Sequence, residues 1–487
     1  MPKTGPANRF QGLRTLACAG LFLLAGCAAA PAPDSPLPAL PGQWMRVTAE
    51  GVAAGAPTSD AQENLNWWRS FGSAELDDLL AQALEYSYDV AAAAARVRQA
   101  QASARIAGAA LLPDLDASVE TGRQGRLGGH AFVEGNTYAA GLNTRYEVDF
   151  WGGNRAARDS ALGALAATRF DRDTIRLTLL AGTASTWVQA VALSERAAIA
   201  ERNLRSAQGI LAVVRAQYAA GAATELDVAR QGALVSSQRR ALEALRQQAG
   251  QARIALALLT GQAADLPIRT ETLTAIRQPV VHIGLPSDLL LRRPDIAGAE
   301  ARLAAADADV HAARAAMLPS LVLSAHVGAG GTSPARIFDN PLYSLAAGLT
   351  APIFNAGRLA AGHDLALAQR EELLAGYRQT IVAAFADVQT ALAAMQGVQA
   401  QREAQAEELA QAQLALRLAE SRHREGAETM LTLLDAQRTL YAAQDMAAYF
   451  QALHLQAAID LYRALGGGWA RRSMSINNDN KSHYVLY

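Results

Sequence analysis

The stretch Tyr138-Ala139-Ala140-Gly141-Leu142-Asn143-Thr144-Arg145-Tyr146-Glu147-Val148-Asp149-Phe150 alternates with a period of two. Tyr138, Ala140, Leu142, Thr144, Tyr146, Val148 and Phe150 share one face, and Ala139, Gly141, Asn143, Arg145, Glu147 and Asp149 share the other. Successive strand side chains point to opposite faces, so this is a strand with one apolar and one charged face. A weaker alternation precedes it over about 113–121, with Leu115, Ala117 and Val119 set against Asp114, Asp116, Ser118 and Glu120. Two environments suit such strands. One is a half-buried sheet with its charged face in water. The other is a membrane barrel, with the apolar face in lipid and the charged face on a lumen. Length favours the barrel, because spanning strands need about 9–11 residues. Tyr138, Phe150, Trp151, Tyr343 and Phe354 stand near the strand ends, where a bilayer interface attracts aromatic side chains.

The pattern occurs twice. Leu112-Pro113-Asp114 recurs as Leu318-Pro319-Ser320, and Asp149-Phe150-Trp151-Gly152-Gly153 recurs loosely as Ile353-Phe354-Asn355-Ala356-Gly357. Tyr218-Ala219-Ala220-Gly221 corresponds to His423-Arg424-Glu425-Gly426 downstream, and Leu259-Thr260-Gly261 to Leu465-Gly466-Gly467. The offsets, read off the numbering, are 206, 204, 205 and 206. In the second half the strands are expected at about 319–328 (Leu321, Leu323, Ala325, Val327) and 342–354 (Tyr343, Leu345, Ala347, Leu349, Ile353). The loops between strands are expected over 122–136 and 328–341, the latter with the run Gly328-Ala329-Gly330-Gly331. Each half is one unit, and duplicated units that cannot close a core alone stack on one another. Four strands cannot close a barrel with a channel. Three chains supply twelve, so a trimeric 12-stranded β-barrel is expected.

Between the strands lie long helices. From Asn154 to Tyr218 there is no proline, and glycine stands only at Gly163, Gly182 and Gly209. Such a helix reaches roughly 95–100 Å at 1.5 Å per residue, far beyond the usual 11–12 residues. Arg358 to Arg424 repeats it, and return helices are expected over Thr224–Leu259 and Thr429–Leu465. In the last of these Leu434, Tyr441, Ala448, Leu455 and Tyr462 follow a seven-residue spacing, as do Leu433, Leu440, Ala447, His454 and Leu461. That period belongs to supercoiled helix pairs. The fold class is therefore mixed α and transmembrane β, a barrel continued by a long α-helical coiled-coil barrel.

The formal net charge of −1 offers nothing to nucleic acid, and the two cysteines, Cys18 and Cys27, form no disulfide framework. Both fall in a secretion signal over 1–26. Lys3, Arg9 and Arg14 precede a short apolar run, Leu16 to Leu24, that ends in Leu24-Ala25-Gly26-Cys27. Small residues before that cysteine resemble a bacterial lipobox, which makes Cys27 the lipidated, palmitate-bearing first residue. Ala28 after it implies sorting to the outer membrane. Removing the signal leaves 41 basic against 45 acidic residues, net −4. Residues 27–62, with Pro31, Pro33, Pro36, Pro38, Pro41 and Pro57, form the expected tether, and the polar 471–487 the expected disordered tail. The expected organisation is one repeat over 63–270, a connector over 271–293 and a second repeat over 294–470.

Trp67-Trp68, Leu76 to Leu84, Ala95-Arg96-Val97 and Leu112-Pro113 resemble the opening of TolC-like outer membrane factors. Leu285-Pro286-Ser287-Asp288-Leu289-Leu290 with Arg292-Arg293-Pro294-Asp295-Ile296 resembles the NodT-type efflux lipoprotein branch. The last stretch also has a local logic. Pro294 suits a first helical turn, and Asp295 complements the helix dipole. The resemblance covers about residues 60–468. It implies a homotrimer in outer membrane lipid and a periplasmic tunnel. An inner-membrane transporter of the RND type and a periplasmic adaptor dock at the far end. The implied function is passive exit of drugs or other small toxic compounds, a route to antibiotic resistance.

A conduit needs a polar lumen and a gate, not a catalytic residue. The hairpins turn at Gly221 and Gly426, the tips that in the family meet the adaptor. Asp435 matches a family position that contributes an acidic ring; threefold repetition of one carboxylate repels its copies and attracts cations. The chain departs from the TolC pattern at His423, Glu428 and Thr432. Glu225 and Asp227 hold the first tip. Glu428 and Asp435 align with Ala223 and Arg230, so acidic charge is concentrated on the second hairpin. No His-Glu-x-x-His pair occurs, His326 and His363 are isolated in sequence, and the glycine run lacks the strand-to-helix context of a phosphate cradle. The expectation is therefore no enzyme, no cofactor and no metal. Two alternatives stay open: a duct for type I protein secretion, and a periplasmic lipid-anchored scaffold without a channel.

Overall fold

A computed structural model of the chain describes residues 43–44, 52–53, 66–125, 127–128, 135–263 and 265–469. The signal over 1–26, Cys27 and the tail over 471–487 lie outside the described residues. The order is β1 (Val52–Ala53), α1 (Ala74–Tyr86), α2 (Tyr88–Ala109), β2 (Asp114–Gln124), β3 (Gly135–Val148), α3 (Gly153–Ala219), α4 (Glu225–Leu259), β4 (Val281–His282), α5 (Leu289–Arg292), α6 (Pro294–Ala315), β5 (Ser320–Gly331), β6 (Pro341–Thr350), α7 (Arg358–Arg424) and α8 (Met430–Ala464).

The duplication extends to element length. α2 and α6 have 22 residues each, α3 and α7 have 67, and α4 and α8 have 35. At 1.5 Å per residue the longest helices run to about 100 Å. Each starts after a left-handed glycine, Gly152 (φ +78°) and Gly357 (φ +80°). The repetition reaches single atoms. A Cβ on Gly261 would crowd the Tyr86 carbonyl at 2.7 Å, and one on Gly466 would overlap the Arg292 carbonyl. In both halves a bare glycine with positive φ lets the end of the return helix sit on the turn before α2 or α6.

The four long strands form one antiparallel sheet in the order β2-β3-β5-β6. The sequence suggests two separate pairs; the structure joins them through β3 and β5, from Tyr138↔Gly331 to Val148↔Leu321. That pairing corrects the loop expected over 328–341: Gly328-Ala329-Gly330-Gly331 is strand, because each of these residues has a partner on β3. β6 stops at Thr350 rather than 354, since Pro352 has no N–H to give a ladder. The outer edges of β2 and β6 have no strand partner in the described residues.

The helices pack around two apolar clusters. Trp67, Phe71, Leu76, Trp187, Ile296, Ile381, Leu392 and Leu455 belong to one, where α1, α3, α6, α7 and α8 meet. The other follows the hairpins outward through Leu204, Leu211, Leu234, Leu242, Leu416, Leu434 and Leu440. Of the two heptad rows of α8, all members are buried except Ala447, which is half-buried. Small residues let axes approach: Gly163 of α3 lies against Ala305 of α6, where a Cβ would come within 2.9 Å. α6 is tied to α3 by Arg302–Asp171 and to α7 by Arg370–Asp307. α2, by contrast, buries only Ala93 and Ala104 and leaves Tyr88 and Ile106 exposed.

The described part of the expected tether touches the body. Val52 pairs in parallel with Val281, and the Trp44 indole donates to Gly284 O at 3.1 Å while lying 5.6 Å from the Phe385 ring.

Candidate functional site

The register sorts every strand residue to a face. Leu115, Ala117 and Val119 of β2, Ala140, Leu142 and Thr144 of β3, Ala325, Val327 and Ala329 of β5, and Tyr343 and Leu345 of β6 fall on one side. Asp114, Asp116, Ser118 and Glu120 share the other with Asn143, Arg145, Glu147, Ser324, His326 and Ser344. The apolar side is bare. Val119 is 84 % exposed, Leu345 77 % and Tyr343 76 %. A sheet that exposes both its apolar face and its edges is incomplete as a single chain in water. The base of the sheet is pinned to the helices by the Trp151 indole, which donates to Pro319 O at 2.7 Å.

At the other end the two hairpin tips share one backbone geometry. Gly221 and Gly426 both have φ +75°, with open space where a Cβ would stand. Gly221 N–H donates to Tyr218 O and Ala222 N–H to Gln217 O; Gly426 N–H and Ala427 N–H repeat this toward His423 O and Arg422 O. Left-handed glycine is what this helix stop requires. Thr224 and Thr429 then cap the return helices, accepting from Asp227 N–H at 3.2 Å and Thr432 N–H at 3.3 Å.

The acidic residues nearby differ in kind. Asp227 completes a capping box, taking Thr224 Oγ1 at 2.6 Å and Thr224 N–H at 3.0 Å. Glu428 does the corresponding work on the second tip from outside the helix, accepting from Thr432 Oγ1 at 2.9 Å and Thr429 N–H at 3.2 Å, with Arg422 at 3.4 Å. The Thr224 hydroxyl, its N–H and the charges of Arg230 and His423 hold the Asp227 carboxyl below its ordinary range. The Thr432 hydroxyl, Thr429 N–H and Arg422 do the same for Glu428. His423 Nδ1 lies 3.1 Å from Glu428 O and braces the second turn. Ala223 and Val228 of the first tip pack against the same apolar cluster as Met430 of the second, so the two tips stand side by side. Glu225 is exposed in the first turn of α4. Asp435 is exposed on α8 and has no salt-bridge partner among the described residues. The structure thus brings Asp227, His423 and Glu428 together as turn and cap groups, and leaves Glu225 and Asp435 on open helix faces.

Other polar residues have no signal in the sequence. Glu75 is buried and accepts from Arg269 N–H at 2.5 Å, Thr270 N–H at 3.0 Å, Thr270 Oγ1 at 2.5 Å and Trp187 Nε1 at 3.3 Å. Burial works to raise its pKa, but these donors outweigh it and the net direction is down. Arg196 of α3 forms a bidentate pair with Asp445 of α8 at 2.7 and 2.8 Å, 5.5 Å from the Tyr449 ring centre, and ties one hairpin to the other. Arg293, from the stretch that carries the resemblance, reaches Asp295 at 3.0 and 2.6 Å, Asp387 at 2.9 Å and Ala464 O at 3.3 Å. That stretch is a clasp where α6, α7 and the end of α8 meet. Among the described residues no group of three or more His, Cys, Asp or Glu is placed to hold a metal.

Comparison with known proteins fits this geometry. The family described as outer membrane efflux protein matches residues 79–262 and again 285–467. The chain is 50 % identical over 459 residues to the pyoverdine export outer membrane protein OpmQ of Pseudomonas aeruginosa, covering 92 % of this chain and 95 % of that one. It is 30 % identical over 452 residues to the cation efflux system protein CusC of Escherichia coli, covering 91 % and 97 %. The solved open state of the Neisseria gonorrhoeae MtrE outer membrane channel superposes with a TM-score of 0.78 at 28 % identity, covering 90 % of this chain and 99 % of that one.

Proposed function

The chain belongs to the outer membrane efflux protein family, and from that premise we propose how its parts serve export and what it carries. It is an outer membrane channel, a trimeric 12-stranded barrel continued by a coiled-coil barrel. The observation that carries the mechanism is the sheet: one continuous apolar face, one continuous charged face and two open edges. Joining β2 of one protomer to β6 of the next satisfies both edges and turns the apolar face to lipid and the charged face to a lumen. The bare apolar face also argues against a scaffold with water-facing strands. The matched spans 79–262 and 285–467 support 63–270 and 294–470 as the two repeats; in this reading 271–293 connects them and 27–62 is a lipidated tether from Cys27.

The partners are a periplasmic adaptor and an inner-membrane RND transporter, with Gly221 and Gly426 at the tips the adaptor meets. Asp435, exposed and without a salt-bridge partner among the described residues, is the gate carboxylate; Asp227, Glu428 and His423 hold the tips in shape, and Glu225 adds charge at the first. The cargo is pyoverdine or a compound like it, supported by the 50 % identity to the pyoverdine exporter. The test is complementation of a Pseudomonas aeruginosa strain lacking OpmQ. Restored pyoverdine in the medium supports the cargo. No restoration, with trimer present in the outer membrane, refutes it. In planar bilayers Asp435→Ala is expected to raise single-channel conductance; unchanged conductance removes Asp435 from the gate.

A further inference from the structure

The charged face of the sheet carries one side chain for which the duct has so far no use. His326 lies midway along β5, opposite Asn143 of β3 and Ser344 of β6. Its Nδ1 is 2.7 Å from Asn143 Oδ1, and Asn143 Nδ2 donates to Ser118 Oγ of β2 at 3.1 Å. Asn143 thus bridges the ring to β2 and anchors the imidazole through Nδ1. The ring also lies close against the sheet. A Cβ on Gly141 would come within 2.6 Å of His326 Cε1, and one on Gly328 within 2.7 Å of Nε2. Only glycine at both positions lets the imidazole lie where it does. Three strands and two glycines thus fix one ring, far more support than a solvated surface histidine receives.

Its electrostatic surroundings follow from the register. On the same face β2 carries Asp114, Asp116 and Glu120, β3 carries Arg145 and Glu147, and neither β5 nor β6 adds another charge. With the imidazole neutral this wall is acidic, and an imidazolium offsets part of that. The first-half counterpart of His326, 206 residues earlier, is Glu120. The imidazole therefore comes once per chain, three to a trimer.

We propose that His326 is a specificity-determining residue of the duct: three imidazoles, each held flat on the barrel wall, set how strongly the lumen admits cationic cargo. This rests on the charged face being the pore wall. Rings of like charge inside a low-dielectric wall focus their field on the bore, so a change at one ring alters occupancy by charged solutes.

The test uses the full-length trimer in planar bilayers with the tetra-amine spermine added on the extracellular side. Salt is held near 0.01 M, where charges act over about 30 Å, at a single pH of about 8. His326→Gln and His326→Arg place a neutral and a permanently cationic side chain at the ring position. Spermine block is expected to be about tenfold weaker in His326→Arg than in His326→Gln. Equal block in the two variants overturns the proposal. If His326→Gln does not assemble, His326→Arg is compared with the native protein, and equal block again overturns it. Absence of any current from the native trimer overturns the duct itself, an outcome distinct from an unaltered block.

Discussion

Replacing Arg293 with methionine is expected to destabilise the protein by about 3 kcal/mol. The side chain is 13 % exposed and makes four hydrogen bonds on three elements. The forked contact to Asp295, itself 30 % exposed, is the main loss. Breaking a fully buried pair costs 3–5 kcal/mol, so about 2 kcal/mol is reasonable for this partly solvated one. Asp387 is 45 % exposed, so its contact is screened and adds about 0.5 kcal/mol. The bond to Ala464 O adds about another 0.5–1 kcal/mol, because that carbonyl closes α8. Methionine keeps most of the apolar stem, so packing loss is small. Denaturant unfolding of the detergent-solubilised trimer, followed by near-ultraviolet circular dichroism, measures the difference. Asp387→Asn gives the smaller share by itself, and Arg293→Lys is expected to recover at most half, since an ammonium cannot make the fork. A cost below about 0.5 kcal/mol for Arg293→Met, or full recovery by lysine, would refute the clasp.

Glu75→Gln is expected to cost about 2–3 kcal/mol at neutral pH, from lost charge-assisted bonds at a buried carboxylate. The folded state holds this carboxyl below its ordinary pKa. Its contribution is therefore fully present above the unfolded value, about 4.3, and is lost as pH falls through the depressed folded one. Stability curves of the two proteins should converge in acid, and a gap that persists there contradicts the assignment. Leu345→Arg, on the bare apolar face, is expected to cost about 2–4 kcal/mol of barrel stability and to reduce heat-resistant trimer on gels. Ser344→Arg, one residue away on the charged face, should assemble normally, and equal behaviour of the pair would contradict the face assignment. Gly466→Ala places a Cβ on the Arg292 carbonyl at positive φ and should unfold at markedly lower denaturant, whereas Gly426→Ala, with φ +75° in open space, should lose only about 1 kcal/mol.

Much of the fold is legible because it is periodic. Alternation over Tyr138–Phe150 marks a strand with two unlike faces, and the absence of proline from Asn154 to Tyr218 permits the 67-residue helix. The tips are readable too, since Gly221 and Gly426 stand where a helix must stop in left-handed backbone. The surroundings of the tip carboxylates were not readable. Asp435 is exposed on α8, whereas Asp227 and Glu428 are engaged by Thr224, Thr429 and Thr432 through hydrogen bonds that no spacing rule separates from a solvated carboxylate.

Local pattern and the 205-residue repeat determine, by themselves, the long helices, the presence of the four strands and the internal symmetry, because propensity, period and glycine placement act over a few residues. Which element touches which was decided only in three dimensions. Pairing of β3 with β5 unites the halves in one sheet and turns a glycine run expected in a loop into strand. It also sets His326 beside Asn143, 183 residues away. Glu75 meets Thr270 across 195 residues, and Arg293 meets Asp387 across 94. Such contacts depend on the register between distant segments, and that register follows from closing both sheet and helix bundle at once, not from any short stretch of sequence.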